Sequence, residues 1–172
     1  MLVRIVQSTN SSIADTSIRT FTITQLNDPN GLVAWYPFNA ATNDSAPCGY
    51  YPLEGVATYG ADRSNAAGRA VTFNGTTALV AKNFVADFTT FTAAFWFKVN
   101  DVNGVQTFLG QNWEEGPSFY TYLWQGTLGA AIYFQGEGVP FQIWANGCTP
   151  GLWYHVALVY NGSAAQIFVN GA

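Results

Sequence analysis

Residues 151–171 read GLWYHVALVYNGSAAQIFVNG, and this stretch decides the fold class. Tyr154, Val156, Leu158 and Tyr160 alternate with Trp153, His155, Ala157 and Val159, so both faces of an extended segment carry covered groups, as in a central strand. Asn161-Gly162 then favours a turn with positive φ, and the apolar run AQIFVNG returns, which together predict a β-hairpin. Upstream, residues 91–99, FTAAFWFKV, repeat the two-residue period. Phe91, Ala93, Phe95, Phe97 and Val99 share one face, which belongs to a core, and Thr92, Ala94, Trp96 and Lys98 share the other.

The rest of the chain follows the same grammar. Short runs rich in Val, Ile, Thr, Phe and Tyr are separated by Gly, Asn, Asp and Pro clusters, and no long 3.6-residue period occurs. Further strands are expected at Val33 to Tyr36, Ala70 to Phe73, Leu79 to Lys82, Thr107 to Leu109, Tyr120 to Trp124, Ala130 to Phe134 and Phe141 to Trp144. About ten short strands at this spacing predict two packed sheets. At 172 residues the chain is long enough for one substantial core and short for two domains.

Composition excludes several classes of function. Hydrophobic residues make up 49% and aromatics 16%, which rules out a disordered chain. Four Arg and two Lys are spread thinly under a net charge of -4, so nucleic acid is not an expected partner. No apolar run reaches the roughly 20 residues that a membrane-spanning helix needs, and the opening residues MLVRIVQSTNSS lack the apolar core and cleavage site of a signal peptide. Charged residues are only 9%, so Thr, Asn, Ser, Gln, Gly and aromatic groups must cover the surface, and copies of such a surface repel one another weakly.

Two cysteines, Cys48 and Cys148, stand without CxxC spacing and beside a single histidine, which favours a disulfide over a metal site; two separate buried thiols are the alternative. Such a bridge would close a loop of about a hundred residues, worth roughly 4–5 kcal/mol in the chain-entropy account. Together with the Asn-x-Ser/Thr triplets at Asn10, Asn43, Asn74 and Asn161, candidates for N-glycosylation, it points to an extracellular or cell-surface protein.

From Gly31 onward the motifs fall in the order GLVAWYPFN, AATNDSAPCG, GRAVTFNGTTALV, FTAAFWFKV and GLWYHVALVYNGSAAQIFVNG. This series resembles the laminin G-like, concanavalin A-like lectin/glucanase jelly-roll family. The resemblance covers residues 31–172 and implies an all-β fold, a two-sheet antiparallel β-sandwich of jelly-roll type. Family members often carry acidic residues after the strand matched by AVTFNG, some near a calcium site; here the positions read NGTTAL, and no metal or other cofactor is expected. Related glucanases carry a Glu-x-Asp-x-x-Glu strand, which is absent. Glu114-Glu115 is the one close acidic pair, and His155 lacks a matched nucleophile, so no catalytic residue and no enzyme is expected.

The family also leads one to expect strands beyond the one matched by IFVNG, so the sandwich reads as short at its C-terminal end. Residues 1–30 read as an extended β arm of two strand-like runs, LVRIVQ and SIRTFTITQ. Leu2, Val3, Ile5, Val6, Ile18, Phe21 and Ile23 are its candidates for strand donation, filling the gap either within the chain or in a neighbour. Donation to a neighbour builds a head-to-tail filament; alternatively, the arm is the remnant of a preceding domain. The first functional expectation is therefore a non-enzymatic structural or adhesive extracellular module whose partners are copies of itself or neighbouring domains. The second is a carbohydrate-binding module of a larger secreted protein. Trp113, Phe119, Tyr120, Tyr122 and Trp124 cluster in sequence, and of these Trp113, Tyr120, Tyr122 and Trp124 are the glycan-stacking candidates. Alternation favours Tyr120, Tyr122 and Trp124 pointing into the core as ordinary packing, with Trp113 covering a loop.

Overall fold

A computed structural model describes residues 3–6, 31–47, 51–82, 84, 89–110, 118–133 and 141–172. Every regular element among them is a β-strand. The chain divides into two compact units, residues 1–93 and 94–172.

In the first unit, β1 (Val3–Val6) pairs antiparallel with β2 (Leu32–Tyr36), with a bulge between Ile5 and Val6. The first run of the arm thus folds back on its own chain. Leu2, Ile18, Phe21 and Ile23 lie outside the described residues. Two small ladders follow: β3 (Leu53–Glu54) with β6 (Val80–Ala81), and β4 (Thr58–Gly60) with β5 (Ala70–Thr72). β3 and β4 are too short to show a period, so alternation could not reveal them. Leu32, Ala34 and Tyr36 alternate into the interior with Phe38, Ala46, Ala70, Phe91 and Ala93.

A buried carboxylate organises the loop after β2. Asp44 Oδ1 accepts N–H bonds from Trp35 and Ala46, each 2.9 Å, and Oδ2 accepts one from Tyr51 at 3.3 Å. The Tyr36 hydroxyl donates to the Tyr51 carbonyl at 2.7 Å. Burial, with the Asp44 charge second, pushes the Tyr36 phenol well above its ordinary value. This aspartate therefore serves the backbone.

β7 (Phe91–Lys98) has the expected alternation, with Phe91, Ala93, Phe95 and Phe97 buried and Val99 beyond it also buried. In the second unit β7 neighbours β12 (Trp153–Tyr160), which pairs antiparallel with β13 (Ala165–Val169). The order β13-β12-β7 makes β12 central, as its two covered faces require. The hairpin predicted at Asn161 is present as a four-residue loop, with positive φ at Gly162. Asn161 Oδ1 accepts the N–H of Ser163 at 3.0 Å and of Ala164 at 2.8 Å, which closes the turn.

The second sheet has the order β11-β10-β9-β8, with β8 (Val105–Gly110), β9 (Ser118–Trp124), β10 (Thr127–Tyr133) and β11 (Phe141–Gly147), all antiparallel. β9 and β10 join through Gln125 (φ 48°) and Gly126 (φ 84°). Two successive positive φ values match the right-handed twist of a hairpin. Gln125 N–H is held by the Gly104 carbonyl at 3.0 Å, and the Gly126 carbonyl takes the Cys148 N–H at 2.7 Å.

The two sheets of this unit pack face to face, a β-sandwich. Phe97 of β7 stacks on Phe108 of β8 at 4.3 Å, and Tyr160 of β12 meets Phe141 of β11 at 6.2 Å. Phe119, Leu123, Leu128, Ala130 and Ile132 fill the interior from one side, and Phe95, Val156 and Leu158 from the other. Thr121 is fully buried among them because its hydroxyl donates to the Leu109 carbonyl at 3.2 Å. Cys148 is a free thiol, buried, with its pKa pushed up by that burial; its expected partner Cys48 lies outside the described residues.

Candidate functional site

Burial on β9 settles which face its aromatic residues take. Phe119, Thr121 and Leu123 point inward, so Tyr120, Tyr122 and Trp124 stand on the outward side. The packing that alternation favoured, with these three rings in the core, is not the one formed. Trp113 falls between β8 and β9, outside the described residues.

Register brings further rings to the same face. Gly129 of β10 lies opposite Tyr122 on one side and Trp144 of β11 on the other. The Tyr122 and Trp144 rings meet edge to face at 5.5 Å, and Trp144 lies 5.7 Å from Trp124. Trp124 and Trp144 are 50% and 43% exposed, so the group opens to water. Farther along, Tyr120 meets Tyr133 edge to face at 6.0 Å.

Glycine makes this arrangement possible. A Cβ on Gly129 would lie 2.9 Å from Trp144 Cζ3 and 3.0 Å from Tyr122 Cζ, and a Cβ on Gly110 would lie 2.6 Å from Tyr120 Cδ1. The rings therefore lean directly onto bare backbone, which holds their orientation. Burial pushes the Tyr122 phenol upward, with Tyr133 adding to it. Thr107 of β8, opposite Tyr122, and Gln142 of β11, opposite Ala131, are exposed beside the rings.

Trp144, Tyr133 and Gly129 were not legible as members of this group, because twenty residues separate Trp144 from Trp124. The signal was the alternation in FQIW, but it places Trp144 beside Tyr122 only once the β10–β11 register is known.

The other candidates lie elsewhere. His155 sits on β12, where its N–H donates to Asn170 Oδ1 at 2.9 Å and its ring packs 5.2 Å from Trp96. Among the described residues, no group of three His, Cys, Asp or Glu side chains could hold a metal ion. Glu114 and Glu115 are outside the described residues, as is Asn10. Asn43, Asn74 and Asn161 are exposed, and Asn74 Oδ1 accepts the Thr76 hydroxyl at 2.9 Å. No described helix is long and apolar enough to cross a membrane.

The profile of the concanavalin A-like lectin/glucanases superfamily, in its laminin G form, matches residues 70–172, more than half of the chain, and the protein belongs to that family. Its laminin G-like domains are generally non-enzymatic and typically extracellular, while the wider superfamily includes glucanases. Comparison with curated proteins and with solved structures gave no match.

Proposed function

We propose that this protein is a non-enzymatic extracellular module that binds glycans on the outward face of the β8–β11 sheet. The observation that carries the reading is the contiguous group Tyr122, Trp144 and Trp124, joined at 5.5 and 5.7 Å and open to water. Aromatic faces attract the C–H faces of sugar rings, while phenol and indole groups donate to hydroxyls. The four strands carry no carboxylate, so the face has binding groups without an acid and nucleophile pair. Affinity electrophoresis against a panel of polysaccharides tests this. Trp124→Ala and Trp144→Ala are expected to abolish the retardation with the melting profile retained; wild-type protein that binds no polysaccharide overturns the reading.

A second reading is favoured by the pairing of β1 with β2. Residues 3–6 pair with β2 by backbone hydrogen bonds and are joined to it through residues 7–30. The same place beside β2 of a second copy could receive them, with Leu2, Val3, Ile5, Val6, Ile18, Phe21 and Ile23 as the donated set ahead of a module at residues 31–172. The result is a self-assembling filament. Deleting residues 1–26 should then abolish oligomers on a sizing column, and full-length protein that is monomeric at all concentrations removes this reading.

A further inference from the structure

We infer that the aromatic face takes a neutral polysaccharide chain and does so without calcium. The inference rests on the glycan-binding reading and names the ligand class.

Charge decides between neutral and acidic glycans. Residues 99–172 contain no Lys or Arg, against four acidic residues, Asp101, Glu114, Glu115 and Glu137. The cation nearest in sequence is Lys98 on β7, whose ammonium lies 5.2 Å from the centre of the Trp153 ring in the other sheet of the sandwich. Sulfate and carboxylate groups on a glycan need such cations, best as paired guanidinium groups, to offset their desolvation. This sheet offers them only hydroxyl, amide and ring N–H groups, in a unit of net negative charge.

The donor set likewise leaves calcium out of the contact. Calcium takes six to eight oxygen ligands, usually with carboxylates among them, and the strands of the face contribute none. What remains is stacking and neutral hydrogen bonding, which suits a polyhydroxy chain. Tyr120, Tyr122 and Trp124 project from alternate positions of one strand, a row of about 13 Å by strand rise. A row of that length favours several linked sugar rings over one.

The test uses the full chain in affinity gels with neutral polysaccharides (β-glucan, mannan, xylan) and acidic ones (heparin, alginate, polygalacturonate). Each gel is run at about 0.01 M and about 1 M NaCl, where the Debye length falls from roughly 30 to 3 Å, and with EDTA or added calcium. The expected result is binding to at least one neutral polymer, unchanged within about twofold by salt or chelator and weakened about tenfold or more by Trp144→Ala. Trp144→Phe, which keeps an aromatic face, should recover most of that loss. Binding confined to acidic polymers, or binding that needs calcium, overturns this inference while leaving the glycan reading standing. Binding to none overturns both.

Discussion

Gly129→Ala adds one methyl group beneath the aromatic face. The new Cβ would lie 2.9 and 3.0 Å from Trp144 Cζ3 and Cε3, and 3.0 Å from Tyr122 Cζ. Carbon pairs rest at about 3.5–4.0 Å, so each ring must withdraw by roughly 0.5–1 Å. Gly129 is not in the left-handed region, so alanine adds no backbone strain, and its smaller entropy loss on folding returns about 0.5–1 kcal/mol. Overpacking costs about 1–3 kcal/mol, and the low end applies because Trp144, at 43% exposure, can swing toward water. The net destabilisation is then about 0–2 kcal/mol, a fall in Tm of no more than about 8 °C for a chain of this size. Binding suffers more. The edge-to-face contact is worth about 0.5–1.5 kcal/mol, and losing it with the ring positions should weaken glycan affinity about two- to thirteenfold. Thermal melts by circular dichroism and affinity gels measure the two effects separately. An unchanged affinity would refute the claim that ring placement on Gly129 serves binding. A collapse in Tm of much more than 10 °C would show that the rings cannot withdraw, and that the face is packed as a core.

Asp44→Ala leaves the N–H groups of Trp35, Ala46 and Tyr51 without their carboxylate and should cost about 2–4 kcal/mol in urea unfolding; Asp44→Asn, which keeps one acceptor oxygen, should cost less. Tyr36 has a native pKa raised above its unfolded value of about 10, chiefly by burial. Its contribution is therefore complete below that pH and is lost as pH rises beyond it, because only the unfolded phenol can ionise. Tyr36→Phe should flatten the alkaline loss of stability while costing about 1 kcal/mol at neutral pH for the bond to the Tyr51 carbonyl. Asp62 is held below the usual carboxylate range, first by the Ser64 hydroxyl and then by the Ala66 N–H. Its contribution is present above the unfolded value and lost as pH falls through the native one, so Asp62→Ala should shallow the acid limb of a stability–pH curve. Cys148, a buried thiol, should resist a thiol reagent in native protein bearing Cys48→Ser and react on unfolding. In unreduced, denatured wild type the titration should find two thiols; none would mean a bridge to Cys48.

Strands whose two faces differ in chemistry were readable directly. β7 sets Phe, Ala, Phe and Phe against Thr, Ala, Trp and Lys, and only one of those faces can be buried cheaply. β12 and its hairpin were equally plain, since Asn161 and Gly162 supply the turn chemistry within the sequence itself. β3 and β4 were not, because strands of two or three residues carry no period; their partners β5 and β6 fall within the strands expected at Ala70 to Phe73 and Leu79 to Lys82, but the pairing itself was not readable.

The aromatic face shows where local information stops. Alternation along SFYTYLW separates Tyr120, Tyr122 and Trp124 from Phe119, Thr121 and Leu123, but both sets are bulky, and the polar Thr121 makes its own set look like the outward one. Tertiary structure decides the matter by giving Thr121 a buried acceptor in Leu109 and by filling the inward side with Phe108, Ala130 and Ile132. Trp144 joins the group only through β10–β11 register, which the seven residues between those strands leave undetermined. The sequence by itself determined most of the strands, the covered character of β12 and the absence of Lys and Arg beyond Lys98, since these depend on local period and composition. Which rings face water, and that Gly129 seats two of them, depended on hydrogen-bond register and on packing between strands far apart in the chain.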